Sequence, residues 1–246
     1  MITDPWFYAF AIPAVLLVGL SKSGFSGFGA LGVPLMALTI PVPQAAAIML
    51  PLLVVMDFIG IGALWRHADR ALLRRLLPAG LLGVLVGTLS FGLFTAATVA
   101  AIVGALTLAF LAIRVAFPPS SEAAPPRPWL GWLAGTASGF TSFVAHAGGP
   151  PIGFYVLPLR LAPVVFTATM AVFFTIINLA KWVPYAWLGL IDARNMLTSL
   201  VLLPVAPLGV FIGVRFVKKV SPTLFYRLFN VGMLLTGCKL LWDGLR

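Results

Sequence analysis

Charge is scarce in this chain. Only 9% of its 246 residues are Asp, Glu, Lys or Arg, where a soluble domain carries roughly 25%. So few charges cannot clothe a water-facing surface, which excludes an ordinary soluble fold; lipid must cover much of the molecule. The one cysteine, Cys238, excludes an internal disulfide framework and a multi-thiolate metal site. The two histidines, His67 and His146, come without a His-Glu-x-x-His motif, so metalloprotease chemistry is excluded too. No metal and no cofactor is expected. Met1 to Pro5 bring no basic stretch ahead of the first apolar run, and the start does not read as a cleaved signal peptide.

Apolar residues make up 61% of the chain, with 24 glycines and 20 prolines. Glycine and proline are disfavoured inside soluble helices, but membrane helices tolerate them where neighbours satisfy the freed backbone groups. The net charge of +10 comes from 16 basic against 6 acidic residues. In a soluble protein this would suggest nucleic acid. In an apolar chain it reads as topology, because basic residues collect in cytoplasmic loops, and no nucleic-acid partner is expected. The predicted fold class is all-α: a polytopic transmembrane protein, in contact with the bilayer and multi-pass in the plasma membrane, the inner membrane of a bacterium.

Apolar stretches lie near residues 6–20, 27–40, 44–65, 71–94 and 96–117 in the first half. Pro118 to Pro128, with Ser120, Ser121, Glu122 and Arg127, is the only linker-like segment,. The second half gives 129–143, 147–159, 162–188, 195–217 and 223–242. The chain therefore divides into a first repeat (1–117), a Pro-rich cytoplasmic linker (118–128) and a second repeat (129–246).

The halves resemble each other. Ser23-Gly24-Phe25 with Gly32 and Pro34 recurs as Ser138-Gly139-Phe140 with Gly149 and Pro151. Pro78, Gly83 and Gly87 recur with identical spacing as Pro204, Gly209 and Gly213. Ala47, Met49 and Asp57 align with Ala168, Met170 and Asn178. The shared order over a whole half indicates an internal duplication. Arg66, His67, Arg70, Arg74 and Arg75 mark their loop as cytoplasmic, and the loop around Phe94 to Ala97 carries no charge,. Its counterpart in the second half is flanked by Arg215, Lys218, Lys219 and Arg227. Corresponding loops thus fall on opposite sides, so the repeats are expected to be inverted, with an odd number of crossings each and both termini outside. Lys239 and Arg246 run against that rule.

Inverted repeats are a plan of secondary transporters, whose substrate sites lie near the bilayer midplane at paired broken helices. The sequence supplies such a pair. One is Gly19-Leu-Ser-Lys-Ser-Gly-Phe-Ser-Gly-Phe-Gly-Ala-Leu-Gly-Val-Pro34, the other Gly135 to Pro151, and each is read as a helix break or re-entrant hairpin. These segments, in these positions, resemble the sulfite exporter TauE/SafE family of membrane permeases. The resemblance covers nearly the whole chain in length, duplication and placement of the Gly-rich motifs. The first motif departs from it, since Gly27-Phe-Gly-Ala-Leu-Gly32 is less dense in glycine than is usual there. The resemblance implies export or import of a sulfur-containing anion such as sulfite, a sulfonate or sulfoacetate. Composition alone says nothing of sulfur.

Several residues are candidates for holding an anion. Lys22 lies between two apolar stretches beside Ser21, Ser23 and Ser26, with Gly24 and Gly27 close by. A buried ammonium is costly and must be paired or face water; its ordinary alternative is a lysine at a cytoplasmic turn. His146 lies in the matching motif with Ser138, Gly139, Thr141, Ser142, Gly148 and Gly149. An imidazole can donate to an oxyanion; otherwise it packs against backbone. Ser and Thr in membrane helices more often bond their own backbone. Half-helix N-termini would add N–H donors. Asp57 is the one acid deep in an apolar span, with Asn178 as its repeat partner and Lys181 one turn beyond. It either carries a coupling proton or pairs with Lys181 or Lys22 as a structural strut. Tyr185, Trp6, Tyr8, Trp129, Trp132, Trp187 and Trp242 read as interfacial anchors.

The expected function is a permease holding its anion between the two breaks while the halves rock about it. Three rivals compete. An anion channel also needs a basic or dipolar lining. An intramembrane enzyme is suggested by the serine in Gly135-Thr-Ala-Ser-Gly139, but it would need a histidine base in reach. A structural subunit would not need paired motifs. Gly80, Gly83 and Gly87 form a small-residue face for close packing, within the chain or in a homodimer.

Overall fold

The computed structural model describes residues 1–22, 28–116, 128–216 and 222–246. Among them there is no strand. In chain order the helices are α1 (Pro5–Lys22), a 3₁₀ turn (Phe28–Leu31), α2 (Gly32–Met36), α3 (Val42–Leu64), α4 (Arg70–Phe91) and α5 (Ala96–Ala116). The second half follows with α6 (Pro128–Ala145), α7 (Gly149–Val156), α8 (Pro163–Ala180), α9 (Trp182–Trp187), α10 (Ala193–Leu202), α11 (Val205–Phe216) and α12 (Pro222–Leu245). The apolar stretches read from sequence coincide with these elements to within a few residues at most ends. Residues 118–127 of the linker lie outside the described residues, and its last residue, Pro128, opens α6.

Local chemistry sets the boundaries. Asp69 and Asp192 cap α4 and α10, accepting from the backbone N–H of Leu72 and Asn195,. Prolines stand in the first turn of α3, α7 and α8, where no N–H is missed. Pro184 has no N–H to offer the carbonyl of Ala180, and the helix steps there into α9, leaving Lys181 at the junction. Pro204 likewise parts α10 from α11, which are bent by 43°,.

Pro5–Lys22, Val42–Ile61, Arg70–Phe91 and Pro163–Trp187 are each long and apolar enough to cross a membrane, and α10 with α11 makes a fifth crossing if the bent pair counts as one. By contrast α2 and α7 have 5 and 8 residues. At about 1.5 Å per residue neither approaches the ~30 Å of a hydrocarbon core. Each folds back on the helix before it, α2 on α1 and α7 on α6.

The halves pack reciprocally. The first helix of each half lies on the penultimate helix of the other, α1 on α11 and α6 on α4, while α3 meets α8 and α5 meets α12. The recurrent glycines make this possible. A Cβ on Gly83 would stand 2.1 Å from the carbonyl oxygen of Thr136, and one on Gly139 would stand 1.9 Å from that of Gly80. At the equivalent seam a Cβ on Gly19 would stand 2.6 Å from the backbone of Gly209. The helix backbones touch without intervening side chains. Gly80, Gly83 and Gly87 therefore pack on α8 and α6 within the chain, against Phe173, Thr136 and Phe143, and do not form a free face for a second copy.

Gly83→Ala is expected to destabilise the detergent-purified protein by about 1–3 kcal/mol, the usual cost of overpacking. Gly60, whose added Cβ meets nothing within 4 Å, is expected to accept alanine without loss. Thermal unfolding of the two variants checks the seam.

Candidate functional site

The polar core of the molecule lies where α3 crosses α8. Asp57 on α3 and Asn178 on α8, which align between the two halves of the sequence, meet directly: the Asn178 Nδ2 donates to Asp57 Oδ2 at 2.6 Å. The other carboxylate oxygen, Oδ1, takes an ion pair from Lys22 at the end of α1. The Asp57 side chain is 1% exposed and that of Lys22 19%, so the carboxylate is sealed while the ammonium reaches an accessible space. Lys22 also stands 5.7 Å from the centre of the Phe174 ring. Of the two partners expected for Asp57, Lys22 is the one in contact.

Lys181 is fully buried. The proline step at Pro184 turns it toward the end of α6. Its ammonium donates to the backbone oxygen of Ser142 at 3.0 Å, to Ser142 Oγ at 3.0 Å and to His146 Nδ1 at 2.6 Å. His146 Nε2 lies 2.8 Å from the carbonyl oxygen of Ala46 on α3. A carbonyl only accepts, so Nε2 carries the proton, Nδ1 is the acceptor and the imidazole is neutral. The Lys181 amino group thus has three neutral hydrogen-bond partners. Lys181 remains within electrostatic reach of Asp57 and Lys22. Lys22, Asp57, Asn178, Lys181, His146 and Ser142 form one polar cluster inside an otherwise apolar bundle.

The break between α6 and α7 is held by its own hydroxyls. Ser138 donates to the carbonyl of Gly148 at 2.7 Å, and Thr141 to those of Ala137 at 2.8 Å and Ala147 at 3.0 Å. His146 has φ of 53°, a left-handed conformation that a residue with a Cβ adopts only under constraint; its two ring contacts supply that constraint. The Ser138 hydroxyl is spent on backbone and the imidazole on Lys181 and Ala46, so no serine–histidine pair is assembled for acyl transfer. Pro150 and Pro151 open α7 and have no N–H to give, which leaves few backbone donors at this helix start.

The glycines differ in setting. Gly139 is closed in by Gly80, and a Cβ on Gly148 would stand 2.7 Å from the Ser138 carbonyl, whereas one on Gly149 meets nothing within 4 Å. In the first motif Ser21 lies beside Gly29. Ser23, Gly24, Ser26 and Gly27 lie outside the described residues. A cavity of about 160 Å³ opens beside the second break, with Thr141, Ala147 and Pro151 on one side and Phe110 and Met233 on the other. Among the described residues its wall carries no ionisable group.

Two features escaped the sequence reading. Tyr185, expected at the membrane interface, is buried, and its hydroxyl donates to the carbonyl of Phe143. Trp6, Trp129, Trp132, Trp187 and Trp242 are exposed as anchors would be. A second polar link, Gln44 Nε2 to Asn195 Oδ1 at 3.1 Å, together with Ser199 Oγ donating to the Ile48 carbonyl at 2.8 Å, fastens α10 to α3. A lone amide pair 151 residues apart leaves no periodic signal in a single sequence.

Asp57→Ala strands Lys22 and Asn178 without their acceptor and is expected to cost about 3–5 kcal/mol. Lys22→Met combined with Asp57→Leu removes both charges and is expected to recover most of that loss. Melts of the single and double variants measure the coupling.

A relative from Cupriavidus necator, described as "Probable sulfite/organosulfonate exporter TauE", is 24% identical over 220 residues, covering 86% of this chain and 85% of its own. No solved structure matches the chain. The sequence profile of the family "Sulfite exporter TauE/SafE" matches residues 11–240. With its apolar helices, this makes the protein a multi-pass protein of the inner membrane, and the chain belongs to the sulfite exporter TauE/SafE family.

Proposed function

We propose that this protein is a secondary transporter for a small sulfur-containing anion such as sulfite, a sulfonate or sulfoacetate. The anion binds at the Lys22–Asp57–Lys181–His146 cluster and is exposed to each side of the membrane in turn. The observation that carries this reading is the position of the cluster. It sits where α3 and α8 cross and is assembled from both halves, while α2 and α7, which pack on α1 and α6, are too short to span. Inverted repeats with paired breaks are the architecture that presents one site to two sides. The printed description of the Cupriavidus necator relative supports the substrate class, and membership of the exporter family supports transport over catalysis.

Each residue has a role in this reading. Lys22, partly accessible, meets the incoming anion. Lys181 supplies a buried hydrogen-bond donor, and its hydrogen bonds to Ser142 and His146 hold it in place. Asp57 holds Lys22 when no anion is bound, and Asn178 keeps the carboxylate oriented. Intramembrane charges of this kind are expensive and mark substrate or ion pathways.

Proteoliposomes containing the purified protein are expected to take up sulfite and sulfoacetate with saturation, each competing with the other better than a carboxylate analogue does. Lys22→Ala is expected to lower kcat/KM by about tenfold or more, as for truncation of one member of a buried charged pair. Uptake that rises linearly with concentration would point to a channel. Absence of flux for every sulfur anion would remove the reading.

A further inference from the structure

The cavity beside the second break lies on the far side of α6 from the polar cluster. Ser142 and His146, at the end of α6, bond Lys181, whereas Thr141, Val144 and Ala145 line the cavity. On α5 its wall is a single stripe, Val103, Leu106, Thr107, Phe110 and Ile113, spaced by three or four residues along one face. At about 1.5 Å per residue the stripe from Val103 to Ile113 is ~15 Å long, so the space is a slot running along the helix. Its floor and its mouth differ. Val103, Val144 and Met233 are buried, while Leu106, Ile113 and Phe154 are exposed. The slot thus opens through the side of an apolar helix, Ala97–Ile113, and in a bilayer that side meets hydrocarbon. The rings of Phe110 and Phe154, 5.6 Å apart edge to face, tie α5 to α7 across it.

The wall offers little to water. Its two hydroxyls, Thr107 and Thr141, donate to carbonyls of their own helices, Val103 at 2.7 Å and Ala137 at 2.8 Å. A buried water needs roughly two to four polar partners, and an apolar cavity of about 150 Å³ stays dry and takes an apolar guest; the volume here is about 160 Å³. We infer that the slot binds one acyl chain of a membrane lipid, laid along α5. Three features select that occupant. The wall is apolar, the shape is long and follows a helix of the bundle, and the mouth opens where acyl chains are already present. A chain in the slot supplies the dispersion contacts that its lining otherwise lacks. It also backs the end of α6 from behind, on the face opposite Ser142 and His146, and so supports the break without touching the polar cluster. The inference does not depend on what the protein transports.

Photolabelling of the full chain in liposomes tests this. The probe is a phosphatidylcholine carrying a diazirine midway along one acyl chain, and the adducts are mapped by mass spectrometry. Lipid that merely surrounds the protein reaches exposed positions such as Leu81, Leu85 and Leu89 on α4. A chain in the slot also reaches Val103, Val144 and Met233, which are buried. Adducts on these three are the expected result; adducts confined to exposed positions would overturn the inference. Val144→Phe, which fills the slot, is expected to lose the Met233 adducts while Leu85 is labelled as before, and labelling of Met233 that survives the substitution would count against a chain in the slot. If Val144→Phe does not fold, the pattern on the natural protein decides alone. Excess toluenesulfonate is expected to leave the Met233 adducts in place. Their loss would mean that the slot receives the organic group of a dissolved sulfonate, and the lipid assignment would fall.

Discussion

A carboxylate deep in an apolar span cannot stay charged without partners, and the way Asp57 is satisfied organises the rest of this molecule. Its two oxygens draw on two different helices, Lys22 from α1 and Asn178 from α8. The chain therefore has to bring the ends of its first and eighth helices to one point. Lys181 makes the same demand from the other side. A fully buried amine needs hydrogen-bond partners within the protein, and it finds them in the carbonyl, hydroxyl and imidazole at the end of α6. Four elements are thus tied together by groups that would be prohibitively costly apart. The ties are directional, so they fix register where apolar packing between lipid-like surfaces would not.

Much of this was legible in the sequence, for physical reasons. Helix extents could be read because a span of hydrocarbon demands an unbroken apolar run, and the prolines and capping aspartates punctuate those runs. Asp57 and Asn178 were paired by aligning the two halves of the sequence, and their side chains meet where α3 packs on α8. The choice between Lys22 and Lys181 as partner of Asp57 was not legible. It depends on the step at Pro184, which turns Lys181 toward Ser142, and helical periodicity carries no trace of that turn. Tyr185 was read as an anchor because aromatic residues at helix ends usually are. Its burial depends on the Phe143 carbonyl near the α6 end, which is a tertiary fact. The hydroxyls followed the general rule more closely. Ser138 and Thr141 serve the backbone of their own break, as most do in membranes.

Glycine has two distinct uses here. At Gly19, Gly83, Gly139 and Gly209 the missing side chain is replaced by the backbone of another helix, so these positions are structural seams. At Gly149 the space is left open, beside the break that carries His146. A glycine-rich motif read from sequence mixes the two kinds, and only the neighbours separate them.

The same seams tie the two halves of the chain together. The contact of α6 with α4 joins the first helix of the second half to the penultimate helix of the first, and that of α1 with α11 joins the first helix of the first half to the penultimate helix of the second. At both seams backbone is packed on backbone. A half expressed alone would lack the helix on which its own first helix lies.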